Sequence, residues 1–166
     1  IFVVTAIFIG QVIVCVPAAY ALSRLRFSGR EVGLWLVLAA MMVPYHATAI
    51  PIYVLLSRFG MINTHGALIL PFIGSAFSVF LLRQFFLSLR TLVHIVFPMA
   101  RPAIVTFGIL SFVSHWNDYF WPSFVLRNDF AATVPFGIVK FLDQELGADY
   151  GPQMAAATLT VLPLLV

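Results

Sequence analysis

Residues 115–122 read HWNDYFWP and close an apolar run that extends from Ala103 to Val113. Ser111, His115 and Asp118 are spaced by four and three, so one continuous helix carries them on a single face, with Ser114 beside them. An amide, a carboxylate and indoles at Trp116, Asn117, Asp118 and Trp121 suit the recognition of a polar solute: aromatic faces stack on rings while Asn and Asp bond hydroxyls. A second polar interruption, MVPYHATAIP at residues 42–51, places Tyr45, His46 and Thr48 between two prolines. Tyr45 and His46 therefore join the candidate pathway residues. The competing reading of the first segment is an interfacial aromatic belt, with Trp116, Tyr119 and Trp121 at headgroup level and Asn117 and Asp118 reaching water.

Other chemistries lack their residues. The only lysine, Lys140, precedes Phe141, so no phosphate-binding loop can form. The serine–glycine pairs at residues 28–29 and 74–75 lack the nucleophile-elbow pattern. His46, His65, His94 and His115 have no close second ligand at metal spacing. Cys15 lies alone inside an apolar block and reads as a small buried hydrophobe.

The elements that must position these groups are set by the solvent. The chain has 166 residues, of which 62% are hydrophobic and only 9% charged, and its mean hydropathy is +1.05. A water-soluble domain has about a quarter of its residues charged. Lipid is the expected surrounding. The net charge of +3 forms no basic stripe that could follow phosphates, which sets nucleic acid aside.

Five blocks approach the ~20 apolar residues that a transmembrane helix needs: 1–22, 32–56, 66–89, 95–121, and an incomplete one from 153. Prolines 17, 44, 51, 71, 98, 102 and 163 fall in or beside them and are expected to mark kinks, because neighbouring helices can satisfy the freed carbonyls. Successive crossings put Arg24, Arg26, Arg30, Arg83, Arg90 and Arg101 on one side. Arg58, Arg127, Lys140 and five of the six acids fall toward the other. The positive-inside rule makes the arginine-rich side cytoplasmic. The external stretch between Arg127 and Pro152 reads as an amphipathic loop or short helix, either solvated or docking an external protein. The expected fold is all-α, a polytopic transmembrane helical bundle with five visible spans.

The order SRLRFSGRE, MMVPYHATAIPIYVLLSRFGMINTHGALILP, FLLRQFFLSL, IVFPMARPAI and HWNDYFWP resembles the inner-membrane permease subunits of binding-protein-dependent ABC importers, in particular the carbohydrate class of maltose and glycerol-3-phosphate type. The resemblance covers nearly the whole chain. It implies a type I importer permease domain over residues 1–166 that is incomplete at both ends, with a first span before residue 1. It also implies a second permease subunit as a heterodimer partner, two cytoplasmic ATPases that bind ATP and Mg, an external solute-binding protein, and residence in the bacterial cytoplasmic (inner) membrane. No cofactor is implied in this chain.

The family's cytoplasmic signature is a Glu-Ala-Ala segment with a following glycine, ending in a hydrophobic-x-x-Pro element. Ile95, Val96, Phe97 and Pro98 fit that end, but the chain passes directly from Arg90 to Thr91 where the rest would stand. Either the protein lacks the segment or a stretch between 90 and 91 is missing from these residues; the second is the expectation. The coupling role then falls only on the flanking Arg90 and Pro98. The implied function is a permease for a sugar or sugar-like solute, including a polyol or glycerophosphodiester, driven by ATP hydrolysis in partner subunits. The alternative is a proton-coupled secondary transporter or channel with Asp118 and His115 as its relay.

Overall fold

The computed structural model describes residues 1–88, 93–127, 132–139 and 150–165, without the side chains of 93–100 and 165. Among the described residues the chain is helical, with no strand. Its helices are α1 (Phe2–Arg24), α2 (Arg30–Met42), α3 (Tyr45–Arg58), α4 (His65–Ile69) with a 3-10 turn (Leu70–Phe72), α5 (Ala76–Ser88), α6 (Val93–Trp116), α7 (Phe120–Val125), α8 (Val134–Val139) and α9 (Tyr150–Leu165).

The central element is α1. Its 23 residues make a rod of roughly 34 Å at 1.5 Å per residue, long enough for a ~30 Å hydrocarbon core. By length and composition it is a membrane span, and two bent pairs, α2 with α3 and α4 with α5, qualify if each pair is one span. α1 packs most extensively on α5 and then on α6. Its buried residues Val4, Ile7, Gln11, Cys15, Ala19 and Leu22 recur at helical spacing on one face. On the opposite face Ile9, Ile13 and Val14 are exposed, as expected where lipid is the solvent.

Two apolar clusters divide this interior. Cys15, Ala19, Leu22, Val79, Leu82, Phe86 and Phe107 close the half toward the C-terminus of α1. Ala49, Leu56, Ala67, Leu68, Trp121, Val125 and Leu126 form the other, with Val3 of α1 packed against it. The two ends of α1 carry different charged loops. Arg24, Arg30 and Arg83 meet at its C-terminus, where Arg30 and Arg83 donate to the Leu22 carbonyl and Arg24 to that of Phe86. At its N-terminus Phe2 packs edge-on to His65. The nearby 59–64 turn meets Arg127, whose backbone N–H donates to Asn63 Oδ1. Arg127 also donates to the Tyr53 hydroxyl at 2.9 Å. This is the separation of arginines that the alternation of spans requires.

The second expected span, 32–56, is not continuous: α2 and α3 meet at 100°. Proline 44 causes the break. The residue before a proline is disfavoured in the α region, and Val43 and Pro44 are both extended, at ψ 119° and 130°. The other prolines behave as kink-tolerant positions, with Pro17, Pro51 and Pro163 lying inside helices. The third expected span bends by 42° between Phe72 and Ala76. The fourth ends at Trp116 rather than at 121, and α7 begins a new direction.

Candidate functional site: a polar layer at a broken helix

Between the two apolar clusters, near the middle of α1, lies a layer of polar groups. Gln11 is 2% exposed. Its Nε2 donates to the Phe72 carbonyl at 2.9 Å, and its Oε1 accepts from the Ser111 hydroxyl at 2.6 Å. One turn along, the Cys15 thiol points at the carbonyls of Ile73 and Ser75, at 3.6 and 3.8 Å. The break between α4 and α5 frees carbonyls that a membrane interior cannot solvate. Gln11 and Cys15 satisfy them from the neighbouring helix. Gly10 permits this approach, because a Cβ there would stand 2.8 Å from the Ile73 side chain.

His115 completes the layer. Its Nδ1 lies 2.7 Å from the Ser111 carbonyl, which makes it the donor, and its ring packs edge-on against Phe72 at 4.9 Å. With Nδ1 protonated, Nε2 of the neutral ring is an acceptor. A cleft of about 470 Å³ opens here, lined by Gln11, Tyr45, Thr48, Phe72, Ser75 and His115 among others. A smaller space of about 170 Å³ shares Gln11, Ser75, Phe77 and His115 and adds Ser78, Ser111 and Ser114. Among the described residues, no acidic or basic side chain other than His115 lines either space. The arrangement can offer hydroxyl, amide and imidazole hydrogen bonds between aromatic walls.

The sequence-derived candidates distribute unevenly around this layer. Tyr45 lines the cleft and packs against His46, Phe72, Phe120 and Trp121. Its hydroxyl is buried and has no hydrogen-bond partner among the described residues. His46 lies against Phe120 at 4.5 Å. Trp121 is fully buried and donates through Nε1 to the Ala67 carbonyl at 2.8 Å, joining α7 to α4. Trp116 donates to the Thr160 carbonyl of α9 at 3.1 Å and stacks on Phe112.

Asn117 is exposed and bonds back to the Val113 carbonyl through its side chain and its backbone N–H. Asp118 accepts from the backbone N–H of Trp121 at 3.3 Å. The expected face of Ser111, His115 and Asp118 is thus only half formed: α6 ends before Asp118, and Asp118 orients the start of α7. Of the aromatic-belt candidates, Trp121 and Trp116 are 0% and 7% exposed, and Tyr119 is 41% exposed.

Gln11, Ser75, Ser78 and Phe72 were not among the candidates. A carboxamide in the middle of a 23-residue apolar helix was a readable signal for Gln11; the GS pair at 74–75 marked the break only weakly. Arg90 lies outside the described residues, as do Asp129, Lys140, Asp143, Glu145 and Asp149. Pro98 is within α6, but its side chain is outside them.

No protein-family model matches the chain. Its sequence is 27% identical to the sn-glycerol-3-phosphate transport system permease protein UgpE of Brucella abortus, covering 99% of this chain and 64% of that protein. It is 30% identical to the probable ABC transporter permease protein YurM of Bacillus subtilis, covering 90% and 55%. It is 29% identical to the arabinooligosaccharides transport system permease protein AraQ of Halalkalibacterium halodurans, covering 89% and 58%. The chain spans less than two thirds of the length of these curated relatives. The alignment with the first runs over 181 positions, 15 more than the 166 residues here, so the relative carries internal residues without a counterpart.

Among solved structures, a chain of a bacterial ABC transporter involved in the import of the acidic polysaccharide alginate superposes with a TM-score of 0.83, at 22% identity, over 99% of this chain and 68% of that one. The chain is similar in sequence to ABC transporter permease proteins and shares the helical fold of a chain of that ABC transporter.

Proposed function

We propose that the chain is the permease subunit of an ATP-driven importer in a bacterial inner membrane, passing a sugar or sugar-like solute, including a polyol or glycerophosphodiester, by alternating access. The observation that carries this is homology to transport permeases along almost the whole chain, joined to a polar layer at the middle of a membrane-length helix. Transporter sites characteristically sit near the bilayer midplane, where interrupted helices expose backbone and polar side chains. Here the break at Phe72–Ser75, Gln11 and His115 occupy that depth. The Tyr45 hydroxyl, without a partner among the described residues, would be satisfied by a passing solute hydroxyl.

The chain's share of the work is to form half of the conduit and to move as packed helices. ATP and Mg are assigned to two cytoplasmic ATPase partners, and solute delivery to an external binding protein. A second, related permease completes the path. Coupling is assigned to the region around Arg90 and Pro98. The proton-relay alternative has less support, because it needs Asp118 on the His115 face of α6, whereas α6 ends before Asp118 and its carboxylate accepts the Trp121 N–H of α7.

The test is reconstitution of the assembled complex in liposomes. ATPase activity that rises on adding solute-loaded binding protein, with solute accumulating inside, is the expected result. Uptake that follows an imposed proton gradient at constant ATP would replace this reading with the relay.

A further inference from the structure

Arg24, Arg30 and Arg83 tie helix ends together at the C-terminal end of α1. Arg30 donates through Nε to the Leu22 carbonyl at 2.9 Å and through a terminal nitrogen to the Ser23 carbonyl at 3.2 Å. Arg83 reaches the same Leu22 carbonyl at 3.3 Å, and Arg24 holds the Phe86 carbonyl of α5 at 2.6 Å. The negative ends of two helix dipoles attract these cations. A guanidinium has five N–H donors in a rigid fork, and the bonds of Arg30 and Arg83 use two and one of them. The cluster is therefore fixed in place while still able to donate. Arg26 adds a fourth, exposed guanidinium, against a single carboxylate, that of Glu31.

Residues 26–32 line a concavity of about 580 Å³ at this end. Gly29, at φ +90°, makes the turn that closes it. From its edge α2 continues with no buried residue. Val32, Trp35 and Leu36 are 62%, 69% and 66% exposed and share one face. Trp35 lies five residues past Arg30, about 7.5 Å deeper along the helix, the depth at which an indole marks the boundary between headgroups and hydrocarbon.

We infer that this end binds an anionic phospholipid, its phosphate on Arg26, Arg30 and Arg83 and an acyl chain along Val32, Trp35 and Leu36. A free phosphate would use the arginines and leave the apolar face unexplained. A soluble protein could meet the arginines but not a face that descends into hydrocarbon. A phospholipid satisfies both, and a basic pocket between spans on the cytoplasmic side suits such a headgroup. The inference needs only that the chain crosses a bilayer, whichever transport reaction it serves.

The test is native mass spectrometry of the delipidated, assembled complex titrated with phosphatidylglycerol or phosphatidylcholine. Phosphatidylglycerol should be retained preferentially. Arg26→Gln, at an exposed position that does not tie helix ends together, should weaken that retention about fivefold, the usual effect of one arginine at a membrane surface. Trp35→Ala should weaken retention of both lipids. An unchanged lipid preference in Arg26→Gln overturns the proposal. Displacement of the lipid by millimolar inorganic phosphate together with an inert Trp35→Ala reduces the cluster to a simple anion site and also overturns it. Loss of ATPase subunits from Arg26→Gln with lipid retention intact would make the surface a protein-docking site instead.

Discussion

Gln11 and Ser111, one hundred residues apart in the chain, meet through a 2.6 Å hydrogen bond inside the packed faces of α1 and α6. The same carboxamide donates to Phe72 at the helix break, so one side chain joins three segments at mid-depth. Replacing it tests whether this layer holds the bundle together. Gln11→Leu is expected to destabilise the protein by about 1–3 kcal/mol, because the buried Ser111 hydroxyl and the Phe72 carbonyl lose their partner. A double-mutant cycle with Ser111→Ala should return a coupling of about 0.6–1.7 kcal/mol, the range for interhelical hydrogen bonds in membranes. Detergent unfolding curves of the four proteins provide the measurement, and additive effects would count against the bond.

The proposed topology puts the arginines near the two ends of α1 on opposite faces of the membrane. In a Cys15→Ala background, Arg26→Cys should react with a membrane-impermeant maleimide only from the cytoplasmic side, and Arg127→Cys only from the outside. Labelling of both from one side would remove the topology on which the transport reading stands. The unmodified protein supplies a control: Cys15 is 0% exposed and its thiol faces backbone carbonyls, so it should stay unreactive until the protein is denatured.

Trp121 is the anchor of the cluster it forms with Ala49, Leu56, Ala67, Leu68, Val125 and Leu126. Truncation to alanine in a packed core typically costs about 3–5 kcal/mol, and here it would also release α7 from α4. Trp121→Phe keeps most of the packing and removes only the bond to Ala67, for an expected loss of about 1 kcal/mol. Thermal unfolding of the two variants should rank them in that order. Equal losses would mean that the indole N–H, not the ring, sets the stability.

The legible parts of this molecule were those governed by the solvent. Long apolar blocks specify a helical membrane protein, because lipid leaves few alternatives for unpaired backbone. The breaks were harder. Pro44 and Pro51 stand seven residues apart in one apolar block, yet the chain turns at the first and runs straight through the second. The difference lies in tertiary packing, since Ala49 and Leu56 on either side of Pro51 are buried in the same cluster as Trp121, and local sequence does not carry that. The polar layer was half visible for the same reason. Ser111 and His115 obey helical spacing, but Gln11 and Ser75 join them only across elements.

Asp118 separates the two transport readings most directly. Its carboxylate receives the Trp121 N–H at 3.3 Å, an interaction that an asparagine side chain can reproduce through its carbonyl oxygen. Loss of such a bond at a helix start costs about 0.5–2 kcal/mol, so Asp118→Ala should loosen α7, lower transport, and reduce the unfolding temperature. Asp118→Asn should recover both if the residue positions α7 beside Tyr45. A proton relay predicts the reverse for asparagine: normal stability with transport abolished, because an amide cannot carry a titrating proton. Measuring uptake and unfolding on the same three preparations distinguishes the outcomes, since only the relay dissociates stability from transport in Asp118→Asn.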